Sequence, residues 1–337
     1  MTTTRRKFLT SSALAGAATL AAPAVHAQST IRWRLQTYAG AALGEHVVKP
    51  AVDLFNAMAG DEMQIDLYYA DQLVPTGELF QAMQRGTIDA VQSDDDSMAS
   101  PTEVTVFGGY FPLASRYSLD VPALFNDWGL NEIWGEEYAR VGVKHISAGS
   151  WDPCHFITSS PITSLAELRG KRVFTFPTAG RFLAQFGVVP VTVPWEDVQI
   201  ALQTREIDGV AWCGATEAYT VGWADVTSHF LTNNISGAWI GHFFSNMDRW
   251  NELSPRLQNL VSTCFEQSHY YRQHWYWAGE ARFRTEGTKL ALTAIPDAEW
   301  ATVEAAARVF WDEIGAESEV KARVVQKIGR ASCRERV

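Results

Sequence analysis

Three consecutive carboxylates, Asp94-Asp95-Asp96, are the densest concentration of chemistry in this sequence. Acids so placed hold a metal ion or an organic cation where their oxygens converge, but neighbours on an extended chain point to opposite sides. At most two of the three can therefore meet one ion. An acidic loop turned to water is the other reading. Tryptophan is the second excess, with 13 in 337 residues, and Trp151, Trp195, Trp212, Trp223 and Trp239 fall close together. Core packing accounts for aromatic residues one at a time; five in one stretch suggest a cleft lined with rings.

Hydrolytic and nucleotide chemistry find no support. No GxSxG, P-loop, HExxH or GxGxxG motif occurs. His269 and His274 lie five apart on a helical stretch and do not share a face. Cys154, Cys213, Cys264 and Cys333 have no metal-ligand spacing; buried free thiols are expected, although a pair could bridge in an oxidising compartment. No catalytic residue, metal or cofactor is expected.

The elements that must position such a cleft alternate. Ile31 to Tyr38 reads as a strand, Gly44 to Met58 as a helix and Met63 to Tyr69 as a strand. Gly77 to Gly86 reads as a helix with a C-terminal glycine, and Thr87 to Val91 as the next strand. The unit echoes about 119 residues later, where Pro194 to Arg205 leads into Glu206-Ile207-Asp208-Gly209-Val210 as the earlier helix leads into Thr87-Ile88-Asp89-Ala90-Val91. The fold class is α/β, with two lobes around a ligand cleft, the usual place for a small solute. Ser254-Pro255 starts a helix running to about Arg284, long enough to bridge both lobes, and Thr302 to Glu313 forms another. The expected division is 28–148 plus about 240–328 for lobe 1 and the bridging helices, and 149–239 for lobe 2.

Arg5-Arg6, the apolar stretch Ala13 to Ala24 and Val25-His26-Ala27 read as a cleavable twin-arginine leader over 1–27. Its removal leaves 25 Lys+Arg against 38 Asp+Glu, a net charge of -13. Such a surface repels nucleic acid and anionic lipid, and no later run is long enough to span a membrane. A periplasmic protein without direct membrane insertion is expected. Residues 329–337 are polar, basic and non-periodic and read as a non-native or disordered tail.

Ser164 to Val173, followed by Phe186-Gly187-Val188-Val189-Pro190 and by Glu196 to Trp212, resembles the solute-binding subunits of TRAP (tripartite ATP-independent periplasmic) transporters, nearest their α-keto-acid-binding branch. The likeness runs from about Ile31 to Glu313. It implies two α/β lobes that close on a small solute, and delivery to the TRAP membrane permease. It also implies a carboxylate-gripping arginine where this chain has Phe174, with Arg172 and Arg181 as substitutes. The branch's metal-holding Glu-Trp pair is here Ala211-Trp212, which puts a metal in doubt. Where the family places uncharged residues near the ligand, this chain has the acidic run, with Asp95 and Asp96 taken to face the solute. Rings from Trp151, Phe174, Trp195, Trp212 and Trp239 complete the expected site. The ligand is then a small organic acid by resemblance, or a cationic, zwitterionic or neutral solute by these residues. A metal-dependent periplasmic hydrolase and a sensor-coupled binding protein are the alternatives.

Overall fold

In the computed structural model, which describes residues 30–331, the two halves of the sequence echo become the same structural device. Ile31–Thr37 is β1 and Ala90–Ser93 is β3; Arg172–Thr175 is β6 and Gly209–Ala211 is β8. β1 pairs parallel with β3 through Leu35 and Ala90, and β6 pairs parallel with β8 through Val173 and Gly209. Just before each pairing an aspartate ties the strands together. Asp89 Oδ2 accepts Arg34 N–H at 2.7 Å and Arg34 Nε–H at 3.2 Å. Asp208 Oδ2 accepts Arg172 N–H at 2.8 Å and Arg172 Nε–H at 3.1 Å. The preceding helices, Leu79–Gln84 and Val198–Gln203, close alike, with two following backbone N–H groups folding back onto Ala82 O and Ala201 O. This wrap occupies Thr87 and Ile88, so β3 starts at Ala90 rather than at Thr87, where alternation alone had placed it.

The first sheet adds β2 (Met63–Tyr68), β4 (Val143–Ser150) and β10 (Ile240–Asn246), in the order β2-β1-β3-β10-β4. β10 runs antiparallel to both neighbours. The second sheet contains β5 (Cys154–Thr158), β7 (Val189–Val191), β9 (His229–Ser236) and β11 (Ala291–Thr293), in the order β11-β9-β5-β8-β6-β7. Its outer strand β11 comes from beyond the long helix. The helix expected over Gly44 to Met58 is two, Ala41–Val47 and Lys49–Ala59, broken at Val48 (φ -120, ψ -46). Pro50 explains the break: it cannot donate an N–H and restricts the residue before it, so it opens a helix rather than continuing one.

Ser254 Oγ accepts Leu257 N–H, and Pro255 starts a helix that runs to Glu286, 32 residues, or about 48 Å. It packs on β4 and on Lys49–Ala59 in one lobe and on the helix Ala215–Thr220 in the other. Two α/β lobes with a bridging helix follow. At the second contact a Cβ on Gly279 would overlap Thr216, so only glycine allows this closeness. Gly279→Ala is expected to lower thermal stability by about 1 to 3 kcal/mol through overpacking; an unchanged melting curve would refute that account. The last helix, Glu319–Ala331, carries regular structure into the stretch expected to be a tail. Residues 1–27 and 332–337 lie outside the described residues.

Candidate functional site

The lobes meet at the carboxyl ends of β1, β3, β6 and β8, where parallel sheets present ligands to loops. A cavity of ≈ 360 Å³ opens there, lined by Tyr38, Ser97, Phe174, Trp195 and Trp212 among others. Its inner wall is aromatic. Trp212 stacks on Phe176 (3.7 Å, 18°) and on Phe174 (4.6 Å, 16°). Tyr38 packs on Trp239 at 4.9 Å, on Trp151 at 5.9 Å and on the edge of Trp195 at 5.6 Å. The Nε1–H groups of Trp151 and Trp239 are buried without a partner. Five of the ring residues read from sequence, Trp151, Phe174, Trp195, Trp212 and Trp239, thus form one connected cluster.

Three acids stand around these rings: Asp94 from the first lobe, Asp152 from the crossover between lobes, and Glu217 from the helix Ala215–Thr220 of the second, all buried. None lines the cavity itself, but Tyr38, which does, feels all three. Burial pushes its phenol well above the ordinary tyrosine range, and the charges of Glu217, Asp152 and Asp94 push it further. Asp94 Oδ1 accepts Ser97 N–H at 2.8 Å, while Oδ2 has no partner. Burial raises the Asp94 carboxyl to about 8. Glu217 Oε1 is likewise buried and unpartnered.

The acidic run divides its work differently from the sequence expectation. Asp95 does not face the cleft. It points into the first lobe, where Trp134 Nε1–H lies 3.2 Å from each of its oxygens, Tyr138 Oη–H donates to Oδ1, and His242 Nε2 stands 3.0 Å from Oδ2 without good hydrogen-bond alignment. Asp96 crosses between lobes: its Oδ2 accepts Thr178 N–H at 2.8 Å, at the start of the helix Pro177–Leu183. Burial, with the N–H contacts opposing, leaves the Asp96 carboxyl raised to about 6. Asp96→Ala removes this cross-lobe bond and should weaken solute binding about tenfold, the loss of one charge-assisted hydrogen bond; calorimetry showing unchanged affinity would rule out a latch.

Neither candidate arginine reaches the site. Arg172 is the second strand clamp, held by Asp208 and turned to solvent. Phe174, two residues on along the same face of β6, reaches the ring cluster at the strand's carboxyl end, whereas Arg172 stands at its start beside Asp208. Arg181 is exposed, lies 3.8 Å from Glu317 and stacks over Phe310.

Sequence reading did not single out Tyr38, Phe176, Asp152 or Glu217, and it placed Asp95, rather than Asp94, beside the rings. A signal for the two rings was present: Arg34-Leu35-Gln36-Thr37-Tyr38 echoes Arg172-Val173-Phe174-Thr175-Phe176. Tyr38 and Phe176 each stand four residues after a clamp arginine, one in each lobe.

The profile of the bacterial extracellular solute-binding proteins, family 7 (DctP), matches residues 40–318. The chain belongs to this family. A TRAP periplasmic solute-binding protein from Chromohalobacter salexigens, solved with bound (S)-(+)-2-amino-1-propanol, is 73% identical, with TM-score 0.90 over 91% of this chain and 97% of that one. The monocarboxylate 2-oxoacid-binding periplasmic protein of a Nostoc species is 23% identical over 85% of this chain and 82% of its own. A TRAP solute-binding protein from Bordetella bronchiseptica, with copurified calcium and picolinate, shares the fold at 19% identity, with TM-score 0.81 over 91% and 93% of the two chains. This TRAP solute-binding protein is accordingly periplasmic and a binder of small organic solutes rather than an enzyme. Among its described residues no helix is long and apolar enough to cross a membrane. Calcium does not fit its site well. Calcium takes 6 to 8 oxygens, whereas the buried group here is two carboxylates and the thiol of Cys213, with three of the four carboxylate oxygens already facing N–H or O–H donors.

Proposed function

We propose that this TRAP solute-binding protein captures a small amine carrying a hydroxyl group and delivers it to the TRAP permease after export through the twin-arginine route. The observation that carries the reading is the pair of unpartnered, fully buried carboxylate oxygens, Asp94 Oδ2 and Glu217 Oε1, around a wall of aromatic faces. Each ring face is worth roughly 0.5 to 2 kcal/mol to a desolvated cation. The arginines that could grip a carboxylate instead are committed to Asp208 and Glu317. The 73% identical protein with bound 2-amino-1-propanol supports the same class, against the 2-oxoacid class of the distant relative.

Closure of the lobes would bury the solute and bring Asp96 onto Thr178, so that the closed form alone presents the permease-recognising surface. The test is calorimetry of the leaderless protein in EDTA with 2-amino-1-propanol, ethylamine, pyruvate and a neutral sugar. Saturating amine at 100 times its dissociation constant should add about 2.7 kcal/mol of stability. Binding of pyruvate with no response to either amine would overturn the proposal.

A further inference from the structure

Asp152, Cys213 and Glu217 each bring one ligand atom to within 4.8 Å of the other two. Most of the oxygens there already face a donor. Tyr110 Oη–H stands 3.2 Å from Asp152 Oδ1, Gly214 N–H donates to Asp152 Oδ2 at 2.9 Å, and Tyr276 Oη–H donates to Glu217 Oε2 at 3.0 Å. Glu217 Oε1 alone is left over, on a residue with no exposed surface. A carboxylate oxygen without a partner is costly to bury, and a second acid beside it raises the cost, unless a cation joins them.

Hard metal ions, zinc-type ions and alkylammonium groups differ in what they ask of a donor set, and this one separates them. A hard metal ion needs a shell of oxygens that this group does not offer, and a thiol is a poor member of such a shell. A zinc-type ion takes thiolate and carboxylate ligands, but three of the four carboxylate oxygens here already face N–H or O–H donors, and burial with the neighbouring acids pushes the Cys213 thiol up. An alkylammonium is a compact charge with three donors; it is satisfied by one free carboxylate oxygen with a second acid close behind. Tyr38, which lines the cavity, packs on Trp151, and Trp151 packs on Tyr276, whose Oη–H reaches Glu217, so one layer of rings connects this position with the cleft.

We infer that Glu217, backed by Asp152, seats the ammonium group of the solute directly, with no metal ion between them. The inference rests on the amine reading proposed above. Asp94 has the other free oxygen; Glu217 is set apart from it by an oxygen of a second carboxylate, that of Asp152, within 4.8 Å.

The experiment is calorimetry of the mature chain in EDTA with 2-amino-1-propanol and its uncharged counterpart 1,2-propanediol, comparing wild type, Glu217→Gln and Asp152→Asn. Wild type is expected to prefer the amine by about 100-fold, the effect of one buried charge pair. Glu217→Gln should remove most of that preference while leaving the diol unaffected; a merely structural role would weaken both ligands alike. The unliganded Glu217→Gln protein should melt no lower than wild type, since the amide keeps an acceptor for Tyr276 Oη–H and replaces a carboxyl that burial and Asp152 already push toward its neutral form. Should that variant not fold, Asp152→Asn carries the same comparison. Amine affinity in Glu217→Gln within about threefold of wild type overturns the seat. Wild-type binding that needs added calcium overturns its metal-free form without any variant. Wild type that binds pyruvate and no amine refutes the functional reading itself, an outcome distinct from amine binding that survives Glu217→Gln.

Discussion

Replacing Asp94 with asparagine should make the unliganded protein more stable, and increasingly so as the pH rises from about 4 to about 8. Burial holds this carboxyl protonated to about 8 in the folded protein, while the unfolded chain releases the proton near the ordinary aspartate value, about 3.9. Between those two values the unfolded chain binds fewer protons than the folded one, so stability falls as pH rises through the window. Below it both states are protonated and nothing is lost; above it the full loss is in place. At about 1.4 kcal/mol per pKa unit the ceiling is about 6 kcal/mol. Asparagine keeps an oxygen for Ser97 N–H and cannot ionise. Thermal melts of both proteins from pH 5 to pH 9 should therefore diverge with pH. A constant difference across that range would show that Asp94 is not held protonated. The native residue thus trades stability for function, as polar groups in binding sites commonly do.

Arg272→Ala should have the opposite sign and comparable size. Arg272 is fully buried on the long helix. Its Nη1 donates to Val47 O at 2.9 Å and to Ser268 Oγ at 2.8 Å, its Nη2 lies 2.5 Å from His269 Nδ1, and its guanidinium lies 4.3 Å from the Trp151 ring and 5.4 Å from that of Phe243. Val47 ends the helix Ala41–Val47, so this contact satisfies a carbonyl that the helix itself cannot. Truncation leaves a cavity and orphaned acceptors, for a loss of about 3 to 5 kcal/mol, and removes the support behind one wall of the site. Arg272→Lys should recover little, because an ammonium cannot lie flat on an indole while reaching separate acceptors. Melting curves decide this: full recovery by lysine would mean that charge alone matters.

The fold was legible because its signals are local. Ser254-Pro255 specifies a helix start through capping and a fixed φ, and the alternation around Ile31 and Met63 specifies half-buried strands. The rings of the site were legible because tryptophan is rare enough for clustering to carry information. The acids were not. Asp94, Asp95 and Asp96 are chemically identical, and only the backbone at the end of β3 decides which turns back onto Ser97, which enters the core and which crosses to the other lobe. Arg172 misled because a ligand-gripping and a strand-clamping arginine look alike on one strand. Its equivalence to Arg34 emerges once the two strands are laid over one another. Asp152 and Glu217 lie 65 positions apart, and nothing in the spacing of such residues announces that a crossover and a helix start will meet.

The turn at Asp94–Asp96 has a consequence for how this protein can change its ligand over evolutionary time. Asp95 is fastened inside the first lobe, and its two flanking residues hang from that one fixed point, one buried behind the aromatic wall and the other on the opposite lobe. A substitution that reshapes the turn to suit a new solute also displaces the contact by which the lobes close. Drift in preference is therefore channelled away from the acidic turn and toward positions such as Phe174, Trp195 and Trp212, where a side chain can be exchanged without displacing the bond from Asp96 to Thr178.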